Sequence, residues 1–374
     1  MADGRKGLRT TGRRSEVGHQ NPTKIMSGSG ENKSRRAGGL PRMSIEAVYI
    51  FTQKQDVRLT RICVASIRFW YPDLPIFLIK DELRARFDTE EIERIWNVGV
   101  ERCGRPQLGG CGWLIKFEPL FLSGRKRVLT LDSDIAFCGP VLGNLDQVKS
   151  DFVVAEEYWH GPLSGNSYGL KAVDALFFDT AKLRSFDPEY VFPGRAFNGG
   201  QMVITTGLLG REDFAALIEW SGVPRLKRAD IFRMGDQGVW NYLLQKCSAC
   251  GTFTLDYANF MVFQGDSRCS QIDLDRIQSR QGFPFLIHWA GKKPPFLSSM
   301  NASKVLRFYE DYYYGKVPRG WAKRWPRVVS YAVVRACELS RQRTRRALRR
   351  SLMNLGVLDM AKRFKRVFLR RLSS

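Results

Sequence analysis

The chain is poor in cysteine and histidine and has no long apolar run. Eight cysteines in 374 residues do not make the dense framework of a small disulfide-stapled scaffold. Cys247-Ser-Ala-Cys250 has the spacing of half a zinc site, but no second pair or nearby histidine completes it. No stretch approaches the ~20 apolar residues of a membrane-crossing helix, and the longest candidate, 328–334, is far too short. Residues 1–43 are rich in Gly, Ser and Arg, with hardly any apolar residue before Ile25. They lack the apolar segment of a secretory signal and read as a disordered basic arm.

Acid is scarce at both ends. Residues 1–43 hold 10 Lys+Arg against 3 Asp+Glu, and residues 319–374 hold 17 Lys+Arg against only Glu338 and Asp359. Nearly all of the net charge of +23 therefore lies on two arms, and 44–318 is close to neutral. Basic arms imply an anionic partner, either nucleic acid or lipid headgroups. No recognised RNA- or DNA-binding motif accompanies the charge, which favours a membrane surface. In 354–372, Val357, Met360, Ala361, Phe364, Phe368 and Leu372 form one apolar stripe at helical spacing, with Lys362, Arg363, Lys365, Arg366, Arg370 and Arg371 on the other faces. That pattern fits a helix lying in the membrane interface or an amphipathic helix docked on the core. The expectation is a cytoplasmic protein, peripheral at the inner face of the membrane, divided into a disordered basic arm (1–43), a folded domain (44–318) and a basic amphipathic helical tail (319–374).

Between the arms, strand-like runs at 44–51, 75–79, 98–102, 127–131 and 152–155 alternate with helical patterns near 58–70, 89–96 and 113–122. This alternation predicts an α/β fold whose mostly parallel sheet is covered on both faces. The stretch 156–194, with several Gly and Pro, reads as irregular, of the kind that borders a binding site. Helices near 211–220 and 236–245 and a strand at 284–289 close the domain.

The most informative segment is 127–140, RVLTLDSDIAFCGP. An apolar strand empties into Asp132-Ser133-Asp134, and Gly139-Pro140 then breaks the chain. Two carboxylates at the end of a buried strand are costly to desolvate unless paired or holding a cation, and ligands of open α/β sheets bind at this end of the strands. Oxygen ligands on a short loop suit Mg²⁺ or Mn²⁺ shared with phosphates; the alternative is a pair of turn residues capping the strand. Downstream come 197–206, FNGGQMVITT, an Asn-Gly-Gly turn opening into a strand; 236–244, DQGVWNYLL, a helix start; and 286–295, LIHWAGKKPP, with one of only three histidines. Asp236 reads equally as a helix N-cap, and Lys116 as a lysine snorkelling from an apolar helix.

In order and spacing these motifs resemble those of the GT-A glycosyltransferases, and most closely glycosyltransferase family 8, the group containing glycogenin and the bacterial lipopolysaccharide galactosyl- and glucosyltransferases. The resemblance spans about residues 44–297. It implies a hexosyltransferase that uses a nucleotide-sugar, a UDP-sugar above all, and a glycan or lipid-linked acceptor, with retention of anomeric configuration. It implies metal ligation by Asp132, Asp134 and His288, the histidine tilting the choice to Mn²⁺ over Mg²⁺. It also implies donor contacts from Lys116, Asn198, Gly199, Gly291, Lys292 and Lys293, and roles at the reaction centre for Gln237 and Asp236. The chain departs from the family twice. The Gly-to-Lys spacing is one residue short if Lys293 is the phosphate lysine, and Thr52-Gln53-Lys54-Gln55-Asp56 stands where many members carry an Asp-x-x-Tyr stretch holding the base. Two alternatives are an inverting transferase with Asp236 as base and a metal-dependent enzyme acting on nucleic acid.

Overall fold

A computed structural model of the chain describes residues 45–82, 86–101, 112–156, 167–221, 224–233, 235–291 and 293–354. β1 (Ala47–Gln53), α1 (Val57–Trp70), β2 (Ile76–Asp81), α2 (Glu90–Trp96) and β3 (Val98–Val100) open the domain. A 3-10 helix at Gly112–Phe121 leads into β4 (Arg127–Asp132), and β5 (Ile135–Phe137) follows the acidic turn. Next come α3 (Leu142–Leu145), β6 (Phe152–Glu156), α4 (Ser167–Leu176), α5 (Thr180–Phe186), β7 (Phe197–Thr205), and the short pair β8 (Ile218–Glu219) and β9 (Arg225–Leu226). The remaining elements are α6 (Asp236–Ala249), β10 (Leu255–Tyr257), β11 (Met261–Phe263), α7 (Leu274–Gln278), β12 (Leu286–His288), α8 (Ser303–Lys316) and α9 (Gly320–Asn354).

Seven strands form the main sheet in the order β10-β6-β7-β4-β1-β2-β3. Only β7 runs against its neighbours, antiparallel to β4 and β6. Alternate residues of β1 and β4 point to opposite faces. Val48, Ile50, Leu129 and Leu131 enter one core with α1 and α8, while Tyr49, Phe51 and Val128 enter a second core with the 3-10 helix and α6. Both faces are buried, which is why these strands read as near-continuous apolar runs. The fold is α/β with a mostly parallel sheet covered on both faces, as the sequence pattern predicts.

Three local expectations change. Asn198-Gly199-Gly200 is not a turn but the first part of β7, which pairs with β4 and β6, and both glycines sit where a Cβ would collide with neighbouring side chains. The segment near 211–220 is a single 3-10 turn, Glu212–Phe214, followed by β8; β8 pairs with β9 instead of prolonging a helix. The stretch 156–194 includes α4 and α5, and Asp179 caps α5 by accepting from the Lys182 N–H at 3.1 Å.

α9 packs its Ala332 side against the body. Arg327 and Lys323 hold Glu91 of α2 at 2.6 and 3.1 Å, and Arg324 shares Glu310 of α8 with Arg58 of α1. Among the described residues no helix is long and apolar enough to cross a membrane. The 357–372 stripe lies outside them.

Candidate metal and donor site

Three pieces of backbone converge at the C-terminal end of β4. Asp132 is the last residue of that strand, and its partner in β1 is Phe51. Antiparallel β7 begins on the other side, so Asn198–Gly200 run beside the acidic turn. A small second sheet, β11-β12-β5, delivers the histidine: β12 pairs antiparallel with β5, placing His288 opposite Ile135. The Trp289 N–H also donates to the Asp134 carbonyl at 3.0 Å. Residues more than 150 positions apart in sequence are thereby fixed on one spot.

One ligand atom from each of Asp132, Asp134 and His288 lies within 4.8 Å of the others. His288 is buried; its Nε2 is 3.3 Å from Asp134 Oδ1 and 3.9 Å from Asp132 Oδ2, and its ring stacks on Phe263. Its Nδ1 is buried without a hydrogen-bond partner among the described residues. Gly200 completes the cradle. A Cβ there would lie 2.7 Å from Asp132 Oδ2, 2.8 Å from Asn198 Oδ1 and 2.8 Å from His288 Cε1. Two carboxylates, an imidazole nitrogen and a backbone with no room for a side chain fit a divalent cation.

Two lysines flank the trio. Lys116 projects from the 3-10 helix and bridges Asp132 (2.7 Å) and Asp236 (3.1 Å). It is therefore not a snorkelling surface lysine. Asp236 is the first residue of α6 and makes no capping hydrogen bond, the cap position being Gly235; its carboxylate serves the ion pair instead. Lys293, 5% exposed, contacts Asp134 Oδ2 and donates to the Gly291 carbonyl at 2.9 Å. Gly291 has φ +88°, a left-handed backbone that a glycine adopts without strain, and this turn folds Lys293 back over the acids. Lys292 lies outside the described residues.

These contacts set the charges. Burial pushes the Asp134 carboxyl up, but His288 and Lys293 outweigh it and hold it well below the usual carboxylate range. For Asp132, burial prevails over the pull of Lys116, and Asp134 and Asp236 add repulsion, so its carboxyl is raised. Burial disfavours the Lys116 ammonium, yet Asp132 and Asp236 together hold it charged, well above its ordinary value.

Lys116, Asp132, Asp134, His288 and Lys293 border a cleft of ≈ 640 Å³, along with Asn198, Gln237 and Gly291. Asn198 Oδ1 accepts from the Gly200 N–H at 2.8 Å, and Gln237 Oε1 accepts from the Gly199 N–H at 3.1 Å. Gln237 thus presents its amide nitrogen as the remaining donor. The missing Cβ of Gly199 points away from the trio, toward Trp240 Cδ1 at 2.9 Å. Sequence reasoning passed over Gly200 as a site residue, although its place two residues after Asn198 puts it on the same face of a strand. It also missed Arg335 of α9, which lines the cleft. No periodicity places a residue 201 positions beyond Asp134 in the same cavity.

No protein-family profile matches the chain, and no curated protein matches it. Solved structures similar to it are glycosyltransferases. The bifunctional glycosyltransferase WbbM is 13% identical with a TM-score of 0.45, the match covering 75% of this chain and 50% of that one. The glycosyltransferase GlyE of Streptococcus pneumoniae is 15% identical with a TM-score of 0.43, covering 71% and 60%. The galactosyltransferase LgtC, solved with donor and acceptor sugar analogues, is 12% identical with a TM-score of 0.46, covering 74% and 99%. The chain spans half the length of WbbM and 60% of GlyE.

Proposed function

We propose that this protein is a divalent-metal-dependent glycosyltransferase that moves a hexose from a nucleotide-sugar, foremost a UDP-sugar, to a glycan or lipid-linked acceptor. One observation carries the reading: Asp132, Asp134 and His288 converge between Lys116 and Lys293 at the ligand-binding end of the sheet. Leaving-group departure from a nucleotide-sugar builds negative charge on a diphosphate. Asp132, Asp134 and His288 would hold Mn²⁺, or Mg²⁺, which supplies electrostatic stabilisation of that charge.

The chain's own residues do the rest. Lys293 sits beside Asp134, so an arriving diphosphate competes for an ammonium group already positioned at the site. Lys116 holds Asp132 and Asp236 in one geometry, and Gln237 and Asn198 border the space for the donor sugar. Asp236 is tied to Lys116 and not offered to an acceptor hydroxyl. This argues for retention, with the departing diphosphate taking the acceptor proton, over inversion with Asp236 as base. Positioning of donor and acceptor then supplies much of the rate.

The same reading places the protein at an anionic membrane surface on the cytoplasmic side. α9 turns Trp321 (79% exposed), Trp325, Val329 and Val333 outward along one flank amid its many arginines. Aromatic and apolar side chains set among cations suit an interface of acyl chains and anionic headgroups.

The test is a thermal-shift and donor-turnover screen of nucleotide-sugars with and without Mn²⁺. A true donor stabilises by mass action and releases its nucleoside diphosphate only with the metal. Proton NMR of the product then reads the anomeric configuration. If no nucleotide-sugar stabilises the protein or is consumed, the reading is wrong.

A further inference from the structure

A second cavity, of ≈ 740 Å³, opens beside the catalytic cleft, between the C-terminal end of β1, the N-terminal end of α1 and the inner face of α9. The two share Gln53, Gln55, Asp81 and Arg335 on their borders, so they are adjoining compartments. The first contains the acids, the histidine and the lysines. The second contains no histidine; its surface is largely aromatic and aliphatic, with Tyr314, Tyr331, Val328 and Val334 in its wall, and charged side chains including Arg58, Arg61, Arg327 and Glu338 border it too.

A nucleotide-sugar is chemically lopsided in the same way. Its diphosphate and sugar need charge and hydrogen bonds, while its base offers a flat π-face and a polar edge. The second compartment presents both complements. Tyr331 supplies a ring, packed under the Arg58 guanidinium at 5.2 Å from its centroid. The Tyr331 side chain interacts with Arg335, and the Tyr331 hydroxyl and Arg335 Nε are both buried. Arg335 stands at the junction, its guanidinium side chain 11% exposed and held at 2.6 Å by Glu338 one turn on. Asp56, which accepts from Gln53 Nε2, lines the same cleft as Asp134, Lys293 and Arg335. The α9 arginine therefore shares a cavity with the acidic turn.

We infer that the inner face of α9, through Tyr331 and Arg335, is the wall of the donor site that grips the nucleoside end of a nucleoside diphosphate. The inference rests on the glycosyltransferase reading above and extends it. The basic C-terminal helix is then a working part of the binding site, clamped in place by Glu91 and Glu310, and its outer face remains available to a membrane.

Titration calorimetry on the full chain tests it, with three probes: Mn²⁺ alone, inorganic pyrophosphate with Mn²⁺, and a panel of nucleoside diphosphates with Mn²⁺. Tyr331→Ala and Arg335→Ala should each weaken the nucleoside diphosphate that the unaltered protein binds by about tenfold or more. Tyr331→Ala should leave pyrophosphate and Mn²⁺ binding as they were. Tyr331→Phe, which keeps the ring, should fall between. Unaltered nucleoside diphosphate affinity in both alanine variants overturns the inference while the glycosyltransferase reading stands. So does pyrophosphate affinity falling in step with the nucleotide in Tyr331→Ala. An unaltered protein that binds Mn²⁺ but no nucleoside diphosphate overturns both.

Discussion

Replacing Gly200 by alanine isolates the geometry of the metal cradle. The added methyl would lie 2.7–2.8 Å from Asp132 Oδ2, Asn198 Oδ1 and His288 Cε1, against ordinary contact at 3.4 Å and beyond. Each neighbour must yield roughly 0.6 Å, and all three belong to the site. The backbone of β7 is tied into the central sheet through β4 and β6, so the side chains move before the strand does. Overpacking of this kind costs about 1–3 kcal/mol of stability. Displacing ligands costs about 10–100-fold in metal affinity, and a misplacement approaching 1 Å costs up to about 10²-fold in rate. Gly199→Ala is the matched control. Its methyl meets Trp240 at 2.9 Å and stays 3.5 Å from Asp236 Oδ2, so it should lower the melting temperature while sparing the cation. Electron paramagnetic resonance titration with Mn²⁺, alongside thermal melts, separates the two. A folded Gly200→Ala protein with unaltered Mn²⁺ affinity would refute the argument that this strand face is the floor of a metal site.

Lys116→Met removes the cation between Asp132 and Asp236 and leaves two carboxylates facing each other; we expect a loss on the order of 3 kcal/mol and a collapse of turnover, checked by urea melts and donor turnover. The α9 clamp should be acid-sensitive. Burial opposes the Glu91 charge, but Arg327 and Lys323 hold its carboxyl down at about 2. A depressed carboxyl contributes stability above its unfolded value of 4.5 and loses it as pH falls through about 2. Glu91→Gln should therefore flatten the urea-midpoint profile between those values, whereas an unchanged acid limb would show that the clamp adds nothing. Trp321→Ser with Trp325→Ser should reduce co-sedimentation with anionic vesicles, and what binding remains should fade with salt as surface charges are screened. Sedimentation equal to the unaltered protein's would remove this face from membrane attachment.

Local sequence carries a good deal of this protein. The alternation of apolar strands and amphipathic helices is a short-range property, so the sheet-forming runs, α1, α2 and α6 appear within a few residues of where the pattern puts them. The Asp132-Ser133-Asp134 turn is legible too, because an apolar strand emptying into two acids is a local anomaly. Long-range assembly is not legible in that way. Whether Asp236 caps its helix or pairs with a lysine depended on Lys116 arriving from another element. Whether Asn198-Gly199-Gly200 turns or extends depended on β7 pairing with β4 and β6, strands that lie far from it in sequence. The role of the basic C-terminal stretch shows the same division. Composition identifies a cationic helix, but charge alone does not say which arginines face solvent. Packing against α1, α2 and α8 turned Arg324 and Arg327 into clamps and set Arg335 at the rim of the cleft. The sequence by itself thus determined the fold class and the acidic turn, because both are written in neighbouring residues. Only the tertiary structure decided the partners of each charge, because those depend on distances between segments far apart in the chain.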